Sequence, residues 1–343
     1  MTSFLRSDRS RAVAVWLIVV AAVVTGMVIL GGATRLTGSG LSITEWAPVT
    51  GVIPPLDQAA WQAEFARYRH IPQYQLLNRG MSLDQFRFIY WWEWSHRLLG
   101  RLLGVVFLVP FLWFAIRRQL SGRLMWRLAA IFLLGGLQGA VGWWMVSSGL
   151  QNRVYVAPER LMLHLGLAFV LLAALVWTAL DAAAGLARQT LPSPWGGRAL
   201  AFAGLLYFQV LLGALVAGNH AGLVFNDWPL FAGRLWPHPY AGPSLWATLA
   251  HSQGAVQSHH RLVAYIALIA ALALGGAAWR AGDLAPDAKR LGLAVAAAVL
   301  LQVLLGIATL VTAVPIALGV AHQLMAAITF SLAVAFAWRV RRV

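Results

Sequence analysis

The chain has 343 residues, of which 60% are hydrophobic and 11% are charged, with a formal net charge of +15 and no cysteine. This composition excludes an ordinary soluble domain, because the apolar residues fall into runs long enough to span a membrane. The lack of cysteine excludes disulfides, thiolate-bound zinc, iron–sulfur clusters and covalently attached c-type heme.

Eight apolar runs predict eight membrane-spanning helices, so the expected fold class is an all-α integral membrane protein. The runs cover residues 12–33, 88–116, 124–146, 161–180, 199–217, 259–279, 291–314 and 318–338. The first run is longer than the core of a signal peptide and lacks an Ala-X-Ala cleavage end. We therefore interpret it as a retained helix.

The basic residues indicate how these helices are oriented. Fifteen of the 26 lie in the tails and loops that would share one side of the membrane: Arg6, Arg9, Arg11, Arg117, Arg118, Arg123, Arg127, Arg188, Arg198, Arg280, Lys289, Arg290, Arg339, Arg341 and Arg342. Cytoplasmic loops carry an excess of Lys and Arg, which predicts that both termini are cytoplasmic. The role of these basic residues in orienting the chain in the lipid membrane thus explains the net positive charge. No nucleic-acid partner is predicted.

The longest loop, residues 35–87, lies on the outer side in this topology. Within it, residues 57–68 look helical, with Trp61 and Phe65 one turn apart, and predict a helix lying on the membrane surface as a lid. A second outer segment, residues 221–258, is rich in Gly, Pro and Trp and is predicted to be a tethered loop.

Four histidines recur at nearly equal spacing, each near the outer start of an apolar helix. An interval of 164 residues separates His96 from His260, and 158 residues separate His164 from His322. Ionisable residues inside membrane segments are costly and usually functional. Two helices that each offer one imidazole can hold a heme iron in a helix bundle. The two pairs therefore predict two non-covalent heme sites.

A tandem duplication accounts for this spacing and predicts two pseudo-symmetric four-helix bundles. The first would comprise residues 1–190, with the long outer loop, and the second residues 191–343. Gln138 and Gln302 are also 164 residues apart, which supports the same register.

Glu93 distinguishes the two halves. It lies three residues before His96 and so shares a helix face with it, whereas the matching position of the second half is Gln257. An acid beside only one heme suggests a substrate heme in the first half and an electron-transferring heme in the second. The alternative is a structural carboxylate that pairs with Arg97 or caps the helix start.

Five arginines are candidates for contact with heme propionates or the rim of a site: Arg35, Arg97, Arg101, Arg160 and Arg261. Guanidinium groups suit carboxylates because they can donate two parallel hydrogen bonds. For Arg35 and Arg160, a rim position without a functional role is equally open.

Three other histidines, His220, His251 and His259, lie at outer helix ends. Each could hydrogen-bond at the rim or act as a ligand. His259 competes directly with its neighbour His260, and the repeat register selects His260.

Several motifs resemble those of the heme A synthase family, in the cysteine-free form found in proteobacteria and mitochondria. They are residues 81–101, which include Trp92-Glu93-Trp94-Ser95-His96-Arg97, residues 38–46, Ile71-Pro72-Gln73-Tyr74, Asn226-Asp227-Trp228-Pro229 and Gln257-Ser258-His259-His260-Arg261. The resemblance spans essentially the whole chain. Gln73 departs from the family pattern, in which a glutamate is expected.

The resemblance implies a water-dependent oxidation of the C8 methyl group of heme O to a formyl group, which makes heme A for cytochrome c oxidase. It implies that His96 and His164 flank the iron of the substrate heme, and that His260 and His322 bind a resident heme b. Glu93 would be the catalytic carboxylate.

The same resemblance implies a multi-pass protein of the bacterial inner membrane that works with a heme O synthase and an electron acceptor. A homo-oligomer is a further expectation. Two other functions also use two heme sites: a quinol-linked diheme b-type electron carrier and a heme-handling transporter. The carrier has no use for an acid beside one heme, and the transporter has none for paired ligands in both halves.

Overall fold

The computed structural model describes residues 10–184 and 193–341. Eleven α-helices lie in these residues: α1 (Arg11–Leu36), α2 (Gln58–Arg69), α3 (Pro72–Leu76), α4 (Leu83–Ile116), α5 (Gly122–Ser147), α6 (Pro158–Ala184), α7 (Pro194–Gly218), α8 (Leu245–His251), α9 (Gln253–Arg280), α10 (Pro286–Val311) and α11 (Ile316–Val340). Eight of them, α1, α4 to α7 and α9 to α11, are long and apolar enough to cross a membrane. The predicted all-helical fold with eight spans is confirmed.

Some of the predictions fall outside the described residues. The division between residues 190 and 191 is one of them. Four of the basic residues used to orient the chain are others: Arg6, Arg9, Arg188 and Arg342.

Helix α4 begins earlier than its hydropathy predicts, at Leu83 rather than near residue 88. Ser82 and Gln85 form a reciprocal capping box that starts the helix there. His96 is consequently the fourteenth residue of α4, whereas the other three histidines lie within two turns of the starts of α6, α9 and α11. The expectation that all four lie near the outer start of a helix is therefore wrong for His96.

The spanning helices pack as two rings of four. In the first ring, α1 packs against α4 and α6, and α5 packs against α6 and, less extensively, against α4. Helices α7, α9, α10 and α11 repeat this order in the second ring. The histidine-bearing helices of each ring, α4 and α6 or α9 and α11, thus occupy opposite corners.

The two rings meet through α1, α6, α7 and α11. Phe169 on α6 contacts Phe330 on α11, with ring centroids 5.4 Å apart. Gly166 lets α7 approach α6, because a Cβ at this position would lie 2.6 Å from Leu211 Cδ2. Small residues allow helices to pack closely where no water drives their association.

The predicted surface helix is present as α2. Its first turn is capped by the side chain of Asp57. Trp61, Phe65 and Tyr68 are buried, and the Phe65 ring stacks on Phe86 of α4 at a centroid distance of 4.9 Å. Aromatic packing therefore holds α2 over the outer part of α4.

Asp181 is a buried acidic residue at the C-terminal end of α6, just beyond the apolar run predicted there. Its Oδ2 atom accepts a hydrogen bond from Arg127 on α5 at 2.6 Å. Its Oδ1 atom accepts from Trp338 Nε1 and from Arg341, both at 2.8 Å. One carboxylate thus ties α5 and α6 of the first ring to the end of α11 in the second.

We expect Asp181→Asn to lower the free energy of unfolding by about 2–3 kcal/mol, because two arginines would lose their buried counter-charge. Thermal unfolding of the detergent-solubilised protein would measure the change. Asp287→Asn is the matched control, since Asp287 also pairs with an arginine, Arg339, but its side chain is 64% exposed. Loss of this exposed ion pair should lower the free energy of unfolding by less than about 1 kcal/mol. Equal losses in the two variants would contradict the tie between the rings.

Candidate functional site

Each of the four repeated histidines rests its ring against a glycine on a neighbouring helix. A Cβ placed on the glycine would lie only 2.8–3.0 Å from the Cε1 atom of the ring. The pairs are Gly31–His96, Gly142–His164, Gly213–His260 and Gly306–His322. Any larger residue would push the imidazole away, so glycine is what allows the ring to lie flush against α1, α5, α7 or α10.

A glutamine supports three of these histidines. Its Nε2 atom donates to the backbone carbonyl of the histidine at 2.9 Å for Gln138–His164, 2.9 Å for Gln209–His260 and 3.1 Å for Gln302–His322. The same nitrogen lies 3.0–3.5 Å from ring nitrogens of these histidines. In all three glutamines the Oε1 atom is buried without a hydrogen-bond partner.

The glutamines and glycines form a fourfold pattern that the sequence reasoning missed. Each glutamine precedes the ring-seating glycine by four residues, and Met27 takes its place before Gly31. The five residues that end at Gly213 and at Gly306 both read Gln-Val-Leu-Leu-Gly, so an identical pentapeptide was available as a signal. It was missed because these copies are 93 residues apart, not the 158 or 164 residues at which the histidines recur.

The residues present fit two heme irons. In each ring of helices, imidazoles project from opposite corners, which is how a bundle can supply two axial ligands. The Nδ1 atoms of His96 and His164 are buried without a hydrogen-bond partner. Buried polar atoms without partners are rare in folded proteins, and here they are what ligand sites for a metal centre would leave.

Glu93 is buried and fully hydrogen-bonded. Its Oε2 atom accepts from the Ser42 hydroxyl at 2.8 Å and from the backbone N–H of Ile43 at 2.9 Å. Its Oε1 atom accepts from Arg97 at 2.6 and 3.1 Å. The side chain, only 3% exposed, therefore fixes the outer loop to α4 as well as lying one turn from His96.

Gln257 anchors the second outer segment in the same manner. Its Nε2 atom donates to the carbonyls of Ala221 and Phe225 at 3.0 and 3.1 Å, and its Oε1 atom accepts from Arg261 at 3.4 Å. The matching positions thus share a structural task. What the first half adds is a negative charge.

Four of the five candidate arginines donate to backbone carbonyls. Arg97 and Arg101 bind carbonyls of residues 43–48, Arg261 binds those of residues 225 and 230, and Arg160 binds that of Trp144. Arg101 and Arg261 each keep one buried nitrogen without a partner. The Arg35 side chain makes no hydrogen bond or ion pair with the described residues, and its buried Nη2 atom has no partner.

The three other histidines have partners at the outer ends of their helices. His259 Nε2 lies 2.7 Å from the Tyr240 hydroxyl, and His251 Nε2 lies 3.8 Å from Glu159. The His220 ring contacts Tyr155 at a centroid distance of 4.1 Å. Burial, and then the positive charge of Arg35, lower the pKa of His220 to about 4, so this imidazole is neutral at pH 7.

The Asn226-Asp227 motif shapes the second outer segment. Asn226 donates to the carbonyl of Leu310 at 2.9 Å, at the outer end of α10. The Asp227 carboxylate accepts from the backbone N–H groups of Ala232 and Gly233 at 2.8 and 2.9 Å. These two hydrogen bonds hold the pKa of Asp227 below its ordinary value.

The first ring has more room than the second. Helices α4 and α5 pack against each other much less closely than α9 and α10 do. Four glycines of α4 and α5 have no atom within 4 Å of an added Cβ, and the positions 164 residues later carry larger side chains. The glycines are Gly104, Gly135, Gly136 and Gly139, and their counterparts are Leu268, Val299, Leu300 and Val303.

Comparison with known proteins places these features in one family. Residues 14–334 match the family model described as cytochrome oxidase assembly protein. A protein named heme A synthase from Caulobacter sp. (strain K31) is 61% identical over 342 residues, and one of the same name from Caulobacter vibrioides is 60% identical, each match covering 100% of both chains. A heme A synthase from Maricaulis maris is 47% identical over 340 residues, which is 98% of both chains.

Proposed function

We propose, from the premise that the chain belongs to the heme A synthase family of cytochrome oxidase assembly proteins, that it converts heme O into heme A for cytochrome c oxidase. The reaction we propose oxidises the C8 methyl group of heme O to a formyl group. One observation carries the proposal: two matched pairs of glycine-seated histidines, with a buried carboxylate beside only one pair.

The two halves take different hemes in this proposal. His96 and His164 flank the iron of heme O in the first bundle, and His260 and His322 hold a resident heme b in the second. The looser packing of α4 against α5 supports this assignment, because a substrate must enter and leave while a cofactor stays. Bound heme b would supply one-electron transfer.

The chemistry sets what the first site must provide. Conversion of the methyl group with water, R–CH3 + H2O → R–CHO + 4 H⁺ + 4 e⁻, occurs in two two-electron oxidations through a hydroxymethyl group. The electrons pass to an external acceptor. The first oxidation leaves the methyl carbon electron-poor before water attacks it, and the second removes two more electrons and two protons from the hydroxymethyl group. A negative charge near the reacting carbon therefore lowers the barrier.

Glu93 provides that charge and a route for protons. Four hydrogen bonds hold its carboxylate in one orientation, so no reorganisation is needed when positive charge develops. All its acceptor sites are occupied, and a proton therefore reaches it through a donor already in place. The Ser42 hydroxyl can give its proton to Oε2 while it takes one from the substrate side.

The propionates of the hemes need cationic partners near the outer ends of the helices. Arg35 is the candidate with the most free donors, and Arg101 and Arg261 each have one buried nitrogen to offer. Arg97 and Arg160 are assigned to the rim, where they hold the outer loop and α5.

We place the protein in the bacterial inner membrane with both termini cytoplasmic, as the distribution of basic residues favours. Its proposed partners are a heme O synthase, which supplies the substrate, an electron acceptor and a second copy of the same chain.

Pigment analysis tests the function directly. Cells that express the chain together with a heme O synthase should contain heme A, identified by chromatography of extracted pigments. Cells with the heme O synthase alone are the control. An electron carrier or a transporter would leave heme O unchanged. Detection of heme O without heme A would therefore refute the proposal.

The carboxylate has its own test. We expect Glu93→Gln to keep the protein folded and heme-loaded, since glutamine fills the same structural place at Gln257. Heme A output should fall by about 100-fold or more, with heme O or the hydroxymethyl heme accumulating. The mirror variant Gln257→Glu controls for the change of charge. Near-normal heme A from Glu93→Gln would leave the carboxylate a purely structural role.

The ligand register predicts which histidines hold heme b. His260→Ala and His322→Ala should each abolish the low-spin heme b spectrum, because a six-coordinate iron needs both imidazoles. His259→Ala should retain it, since that ring contacts Tyr240 instead. Absorption spectra of the purified variants give the answer, and the reverse pattern would show that the register is shifted by one residue.

A further inference from the structure

The four histidines differ in the residue one turn before the glycine that contacts the imidazole ring. A glutamine amide lies against three of them, but the position equivalent to these glutamines, four residues before Gly31, is Met27. Met27 and Gln209 both precede the ring-seating glycine by four residues, so the two side chains leave equivalent turns of α1 and α7. The exception therefore falls on one ligand of the proposed substrate heme.

The missing amide has a chemical consequence. A partner that holds a metal-binding histidine in place fixes the orientation of its ring. In three of the four cases a glutamine does this through Nε2, which donates to the backbone carbonyl of the histidine and lies 3.0–3.5 Å from its ring nitrogens. A thioether has no hydrogen to donate. Loss of such a partner lowers metal affinity about 10–100-fold.

We propose that Met27 makes His96 the exchangeable ligand of the heme O iron, while His164, with Gln138 behind it, remains the anchoring ligand. This inference rests on the proposed function, because only a heme that arrives as substrate and leaves as product needs a weak ligand. Met27 is a positioning residue that acts through His96. The glutamines of the second half keep both ligands of the resident heme strong.

The packing of α4 supports the same assignment. Met27 Cε lies 3.5 Å from the Cβ position of Gly100, one turn after His96, so the methionine fills the contact between α1 and α4 without a polar bond. Gly104, a further turn along, faces open space. His96 thus lies on a helix that packs loosely against its neighbour α5, with no hydrogen bond from α1 to its ring.

Heme release from the intact protein tests the inference. Protein purified from cells that make heme O is mixed with excess apomyoglobin, and the heme that is transferred is identified by chromatography. Heme O and heme b separate from each other, so their release rates are measured in one sample. We expect Met27→Gln to slow the release of heme O about 10–100-fold and to leave heme b unchanged.

Two further variants complete the design. Met27→Leu adds no amide and should release heme O at the wild-type rate, and Gln209→Met should speed the release of heme b about 10-fold or more. Retained heme b in Met27→Gln reports that the variant is folded. An unchanged heme O release rate in that variant overturns the inference, whatever Gln209→Met does.

The proposed function can fail separately. Absence of heme A from cells that express the wild-type chain with a heme O synthase refutes that function, whereas the release rates concern only the support of the ligands. If cells make heme A but Met27→Gln releases heme O at the wild-type rate, only the role of Met27 is refuted.

Discussion

Each of four imidazoles lies against a glycine of a neighbouring helix, and the pairing of the helices follows from that contact. A ring can lie flush against a helix only where no Cβ intervenes, so each glycine fixes which helix carries its histidine as a close neighbour. The result is four helical hairpins of one design: α1 with α4, α5 with α6, α7 with α9, and α10 with α11. Two hairpins then close each ring and bring two imidazoles to opposite corners.

The two halves differ by a few substitutions within this shared frame. Met27 stands where the second half has Gln209, Glu93 where it has Gln257, and glycines where it has leucine and valine. In the functions that we propose for the two halves, these changes give weaker support for a ligand, a negative charge and more space. A site that retains a cofactor needs none of these, whereas a site that turns over a bulky substrate benefits from all three. The proposed specialisation therefore needs no change in helix order.

Hydropathy predicted the eight spans and the helix α2, because those signals are local or periodic in the sequence. The early start of α4 was not predicted, because the capping box at Ser82 and the aromatic contacts of Phe86 lie outside the apolar run. The tie through Asp181 joins residues more than 150 positions apart. The loop carbonyls that bind Arg97 and Arg101 are likewise invisible in the sequence, since only the folded loop brings them to α4.

Arg97 and Arg261 occupy matching positions in the two halves, but only Arg97 is hydrogen-bonded to a carboxylate. In the second half Arg261 hydrogen-bonds only neutral partners, the carbonyls of Phe225 and Leu230 and the amide of Gln257, so no carboxylate is hydrogen-bonded to it. In the first half Glu93 neutralises Arg97 in a buried ion pair. In the proposed reaction an uncompensated cation there would oppose the positive charge that develops on the carbon, and the carboxylate that we propose to stabilise that charge also offsets Arg97. One carboxylate thereby keeps the outer loop in place and serves the proposed chemistry.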